Sequence, residues 1–112
     1  MASNFLYDDF SDRLMISCKK STDKVVGSVR VLNVTLDFAS NNKIVSVEIR
    51  NISEYISSLG LNAEILNNLE NAKLMFKQYR DGYMIYFILK PKQGNVERIP
   101  FNIPMKQVLA TA

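Results

Sequence analysis

Histidine and tryptophan are absent from this chain, and cysteine occurs once, at Cys18. Without histidine the commonest general base and transition-metal ligand is missing. Serine hydroxyls have no imidazole to activate them, and no Ser/Lys pair has a diagnostic spacing. A lone cysteine forms no internal disulfide. Cys18 alternates with Leu14 and Ile16, which marks it as a small buried hydrophobe rather than a reactive thiol. The glycines Gly27, Gly60, Gly82 and Gly94 are scattered and build no phosphate-cradling loop. The longest uncharged apolar run, Tyr83 to Leu89, falls far short of the ~18 residues that cross a bilayer as a helix. Residues 1–5 lack the basic and apolar regions of a signal peptide. These absences argue against an enzyme, against any cofactor and against a membrane protein, and for a cytoplasmic location.

What is present describes one folded domain over residues 1–112. Hydrophobic residues make up 47% and charged residues 22%, so the chain can build a core without disulfides or metals. The net charge is +3, and its position matters more than its size. Residues 1–60 hold seven basic and seven acidic groups, whereas residues 61–112 hold seven basic groups against Glu64, Glu70, Asp81 and Glu97. The whole surplus lies in the second half.

Periodicity divides the chain into strands with a short helical interlude. Residues 1–12 read as a lead-in with a turn at Asp8-Asp9. Leu14, Ile16 and Cys18 then alternate with polar neighbours, a strand period. Val25 to Arg30 reads as a short strand with a bulge at Gly27. Leu32, Val34, Leu36 and Phe38, followed by Val45, Val47 and Ile49, predict a half-buried antiparallel hairpin over 31–50. Ser53 is the expected cap of a helix that stops at Gly60, and Asn62 the expected cap of a second, with Ile65, Leu66 and Leu69 inward. Asp81-Gly82 between residues 73–80 and 83–90 signals a second hairpin. A loop of those two residues would set Tyr79 opposite Met84 and Lys77 opposite Tyr86. Its faces would be Leu74, Phe76, Ile85, Phe87 and Leu89 on one side and Met75, Tyr79, Met84, Tyr86 and Ile88 on the other. Pro100 places the last strand, 96–103, at a sheet edge. The expected fold class is α+β: antiparallel sheets built from hairpins, with two short helices in the middle.

Several residues follow a recognisable order: Tyr7-Asp8, Asp12, Leu14 and Ile16, then Leu36-Asp37-Phe38 and Lys43-Ile44-Val45-Ser46-Val47-Glu48-Ile49-Arg50-Asn51-Ile52-Ser53. This pattern resembles a family of small microbial proteins known only as a domain of unknown function, over about residues 6–55. Asn42 stands where such proteins usually carry a turn glycine, and Ser46 where they carry a strand glycine. Residues 60–112 then read as a C-terminal hairpin extension. The family implies no activity. The toxin-like proteins encoded beside some members imply an antitoxin-like or other partner-binding role.

Three constellations are candidates for function. Asp8, Asp12, Asp37 and Glu48 are the acidic residues shared with the family pattern. Clustered, they would offer oxygen ligands to Mg²⁺ or Ca²⁺; the simpler expectation is turn capping by the first two and pairing with Arg30 or Arg50 by the others. Lys73, Lys77, Arg80, Lys90, Lys92 and Arg98 lie among Tyr79, Tyr83, Tyr86 and Phe101, a mixture that can stack bases and hold phosphates. Met75, Tyr79, Met84, Tyr86 and Ile88 would form an exposed apolar patch, for which a homodimer is the simplest cover. The resulting expectation is a non-enzymatic binding or assembly module that forms a homodimer. The alternative is a nucleic-acid-binding or antitoxin-like protein using the basic second half.

Overall fold

The alternation in the first half folds as a five-stranded antiparallel sheet. The computed structural model describes residues 4–40 and 43–104. The strands are β1 (Asn4–Asp8), β2 (Arg13–Ser17), β3 (Val25–Val31), β4 (Val34–Ala39) and β5 (Ile44–Arg50), in the order β1-β2-β5-β4-β3. Residues 4–8, read from sequence as a lead-in, are a paired strand, with Phe5 opposite Ile16 and Tyr7 opposite Leu14. The sequence signal was masked because Leu6, between those two inward residues, is apolar yet faces outward at 59% exposure. The bulge at Gly27 is present, between Val25 and Gly27.

Leu32 departs from its expected inward place. It lies in the tight turn joining Val31 to Val34, at φ 54 and 77% exposed. Arg50 holds this turn: its backbone N–H donates to Asn33 O at 2.9 Å, and its Nη2 donates to Leu32 O at 3.3 Å. A branched apolar side chain in the left-handed region costs roughly 1 kcal/mol or more. Because Leu32 buries little, Leu32→Asn is expected to raise stability by about 0.5–1 kcal/mol and Tm by about 2–4 °C, measured by thermal unfolding.

A seven-residue helix, α1 (Ile52–Ser58), follows. Its N-cap is Asn51 rather than Ser53, in a left-handed conformation and without a side-chain capping bond. Its C-terminus closes as expected at Gly60 (φ 81), where Gly60 N–H donates to Ser57 O and Leu61 N–H to Ile56 O. The second helix is a 3-10 helix, Ala63–Asn68, and Asn62 Oδ1 accepts from Glu64 N–H at 2.9 Å.

The second half forms a three-stranded antiparallel sheet of β6 (Leu69–Tyr79), β7 (Gly82–Pro91) and β8 (Glu97–Pro104), with β8 at an edge as Pro100 requires. The hairpin register differs from the expected one by two residues. Tyr79 pairs with Gly82, Lys77 with Met84 and Met75 with Tyr86, so the loop is Arg80-Asp81 and glycine begins the strand. A shift of two preserves which residues share a face, since side chains alternate with period two. The expected faces therefore stand although the opposite partners change. Residues 105–112 lie outside the described residues.

The two sheets are layers of one core. A single hydrophobic cluster includes Leu14, Ile16, Leu36, Val47 and Ile49 of the first sheet and Leu74, Ile85, Phe87, Leu89 and Ile99 of the second. Ile52 and Ile56 of α1 and Leu66 of the 3-10 helix join it. Phe38 meets Tyr83 at 6.3 Å between ring centroids, and Tyr55 meets Phe101 edge-on at 5.8 Å. The fold is α+β in the broad sense, with 58% strand. The C-terminal hairpin unit is the cover of the N-terminal sheet, and neither half has a separate core.

Candidate functional site

The outer face of the second sheet follows directly from the strand register. Lys73, Ile88 and Arg98 form one row across the three strands; Met75, Tyr86 and Pro100 form the next; Lys77, Met84 and Asn102 form the third. Tyr79 continues the face beyond them, and Lys90 lies opposite Asn71 at the other end. Met75 is 53% exposed and Tyr79 43%, while Met84, Tyr86 and Ile88 are half-buried. All five residues singled out as a contact surface thus share one face.

Basic side chains are interspersed with them. Lys77 Nζ stands 5.5 Å from the centroid of the Tyr79 ring, and Arg98 Cζ 5.5 Å from that of Tyr86. Lys90 pairs with Glu70 at 3.4 Å. Arg80 lies in the β6–β7 turn. Lys92 lies past the end of β7, where its backbone N–H donates to Asn68 O at 2.7 Å. The six basic candidates therefore separate: four join the sheet face, Arg80 adjoins it at the turn, and Lys92 is at the opposite end. Tyr83 and Phe101, grouped with them in the sequence, face inward against Phe38 and Tyr55. Strand alternation is the cause, because Tyr83 and Tyr86 are three positions apart, an odd offset.

The four acidic candidates do not converge. Among the described residues no group of three or more potential metal ligands stands together. Asp8 accepts from Phe10 N–H at 3.1 Å and Ser11 Oγ at 2.8 Å, closing the β1–β2 turn. The Ser11 hydroxyl, aided by the Phe10 N–H, holds the Asp8 carboxyl below its ordinary range. Asp37 accepts from Ser28 and Ser46 hydroxyls, each at 2.5 Å, on the outer face of the first sheet. Glu48, on the same face, pairs with Arg13 at 3.1 Å and Arg50 at 3.7 Å.

Asp12 has the role the sequence assigned to Ser53. Held at φ 54 in the β1–β2 turn, it accepts from Ser53 N–H at 3.1 and 3.2 Å, from Ser53 Oγ at 2.6 Å and from Tyr7 OH at 2.8 Å. One carboxylate thus caps α1 from a distant part of the chain and places a negative charge at its N-terminal end. Burial, then the hydrogen bond to Asp12 and the nearby charges of Asp12, Asp9 and Asp8, push the Tyr7 hydroxyl up to about 12.

A shallow cleft of about 430 Å³ runs over the outer face of the first sheet, lined by Leu6, Met15, Ser17, Thr35, Asp37, Ser46 and Glu48 among others. Its polar groups are satisfied by one another: the carboxylates are bonded to serine hydroxyls and arginines of the same sheet. It has the character of a braced sheet surface. Cys18 is half-buried, with its sulfur 3.5 Å from Val45 O.

Residues 4–53 match the model of a family described as a protein of unknown function, DUF2283. The match takes in β1 to β5 and the first two residues of α1, so it coincides with the five-stranded sheet and its helix cap. The resemblance read from Tyr7, Asp8, Asp12 and the 43–53 segment is shown over that span. No curated protein and no solved structure matches the chain. Among the described residues, no helix is long and apolar enough to cross a membrane.

Proposed function

We propose that the chain is a non-enzymatic binding and assembly module and that its contact surface is the outer face of the β6–β8 sheet. The observation that supports this reading is that Met75, Tyr79, Met84, Tyr86 and Ile88 share one sheet face, on which Met75 and Tyr79 are exposed and the other three half-buried. Such a surface stabilises a complex by removing aromatic and methionine area from water, with the flanking cations forming a polar rim.

A second copy of the chain is one occupant of this face, in a two-fold contact with Tyr86 and Ile88 near its centre. That contact has a specific electrostatic signature. Four rows of the face, from Asn71–Lys90 to Lys77–Met84–Asn102, contain no carboxylate. A two-fold stacking of this face on itself brings together two surfaces whose charges without an ion-pair partner among the described residues, Lys73, Lys77 and Arg98, have one sign. Like charges oppose the contact, and salt screens them. A dimer through this face is expected to tighten as salt rises, and Tyr86→Glu with Ile88→Lys is expected to abolish it. Sedimentation velocity at tens of micromolar protein, at low and high salt, measures both. A dimer that the double substitution leaves intact would place self-association elsewhere on the molecule.

A further inference from the structure

Building on the reading of this sheet face as the contact surface, we infer that its occupant is single-stranded nucleic acid, with bases stacked on Tyr79 and Tyr86 and phosphates held by Lys73, Lys77 and Arg98. Charge complementarity is the first argument. Glu70 neutralises Lys90 at one end of the face, but Lys73, Lys77 and Arg98 have no ion-pair partner among the described residues, so they present positive charge to an anionic partner. A second copy of the chain brings the same sign and an anionic polymer the opposite one.

The second argument is the pairing of ring with cation. Both tyrosines on this face have a basic group over the ring, Lys77 at 5.5 Å from the Tyr79 centroid and Arg98 at 5.5 Å from that of Tyr86. A base that stacks there takes the cation's place on the ring and leaves its own phosphate within reach of the displaced side chain. An acidic peptide satisfies the charges but carries a flat ring only where it has an aromatic residue, whereas every nucleotide joins a ring to a phosphate. A duplex satisfies the charges too, but its bases are already stacked on each other and unavailable to a flat sheet. Tyr79 and Tyr86 are separated by about four residues along the hairpin, roughly 13 Å at the strand rise, a distance that a few nucleotides span. The chemistry predicts little sequence preference, because every base presents a π-face.

The test is fluorescence anisotropy with a labelled single-stranded oligothymidylate, using the full chain and variants whose Tm matches the wild type. Three phosphate contacts predict that affinity falls about twenty-fold between about 50 and 200 mM salt. Tyr79→Ala and Tyr86→Ala are each expected to weaken binding about tenfold. Lys77→Glu is expected to weaken it, whereas Arg30→Glu, the same charge change on the first sheet, leaves it near wild type. Equal losses for Lys77→Glu and Arg30→Glu would reduce the effect to general attraction by a basic protein and overturn the inference. So would unchanged affinity in both tyrosine variants, or binding to duplex as tight as to the single strand. Polyglutamate serves as the second probe. If it binds, loses affinity with Lys77→Glu, and the oligonucleotide does not bind, the nucleic-acid inference falls while the contact surface stands. If neither probe binds at low salt, the inference falls, and sedimentation decides the contact surface separately.

Discussion

Phe87→Ala is expected to lower the stability of the fold by about 4 kcal/mol and its Tm by roughly 15 °C. Phe87 is wholly buried at the middle of β7, paired in register with Leu74 on one side and Ile99 on the other. It is among the largest side chains with essentially no exposure, and it belongs to the cluster that joins the two sheets. Truncation removes its transfer free energy and leaves a cavity that both sheets would have to shift to fill. The backbone ladders on either side resist that shift. Because a domain of this size has only about 5–15 kcal/mol in total, the variant is expected to sit near the edge of folding. Urea unfolding should show a lower midpoint with an unchanged slope. Phe87→Leu retains most of the volume and is expected to cost about 1.5 kcal/mol. Equal losses in the two variants would mean that ring shape rather than volume sustains the interface.

Asp12→Ala is expected to cost about 3 kcal/mol, a large effect for a half-exposed turn residue. Three contributions add. The carboxylate caps α1 through Ser53, it accepts the Tyr7 hydroxyl, and its backbone sits at φ 54, where alanine is strained. Asp12→Gly removes the backbone strain but not the lost bonds, and Asp12→Asn keeps an acceptor and tolerates the left-handed conformation. The expected order of stability is therefore wild type, Asn, Gly, Ala. The same contact gives the fold an alkaline limit. Tyr7 has its hydroxyl raised from the ordinary 10.0 to about 12, so the folded state holds that proton more tightly than the unfolded chain. The contribution is fully present below pH 10 and is lost as pH rises from 10 towards 12. Removing the Asp12 carboxylate is expected to shrink that alkaline dependence, which a series of Tm values across pH 9–12 would show.

Much of this fold is legible in the chain because its signals are local. The alternation at Leu14–Ile16, at Val34–Leu36 and at Val45–Val47–Ile49 is a two-residue period that only a strand satisfies. Pro100 marked an edge because it has no N–H to donate. Gly60 and Asn62 act on their immediate neighbours, and both behave as their chemistry dictates. The faces of the β6–β7 hairpin followed from parity alone, which is why they stand despite a two-residue shift in register.

The candidate site was legible to the same depth. Residue type named the tyrosines, methionines and basic groups, and parity placed Met75, Tyr79, Met84, Tyr86 and Ile88 together. It also places Lys73, Lys77 and Lys90 with them, and excludes Tyr83. What parity cannot supply is the third strand. Arg98 reaches Tyr86 because β8 pairs with β7 in one particular register, and the seven residues between the strands' paired ends at Leu89 and Glu97 do not encode that register.

The sequence by itself determined most of the strand pattern and the two-faced character of the C-terminal hairpin. Each depends on residues within a few positions of one another. Tertiary structure alone decided that the family-like sheet and the C-terminal sheet are two sides of one core. It decided that Asp12 rather than Ser53 caps α1, and that Asp37 and Glu48 are engaged by separate partners, serine hydroxyls for one and arginines for the other. The physical reason is the same in each case. A cap, an ion pair and a packed face need only the right atom at the right distance, and a folded chain supplies it from any position that the packing brings near.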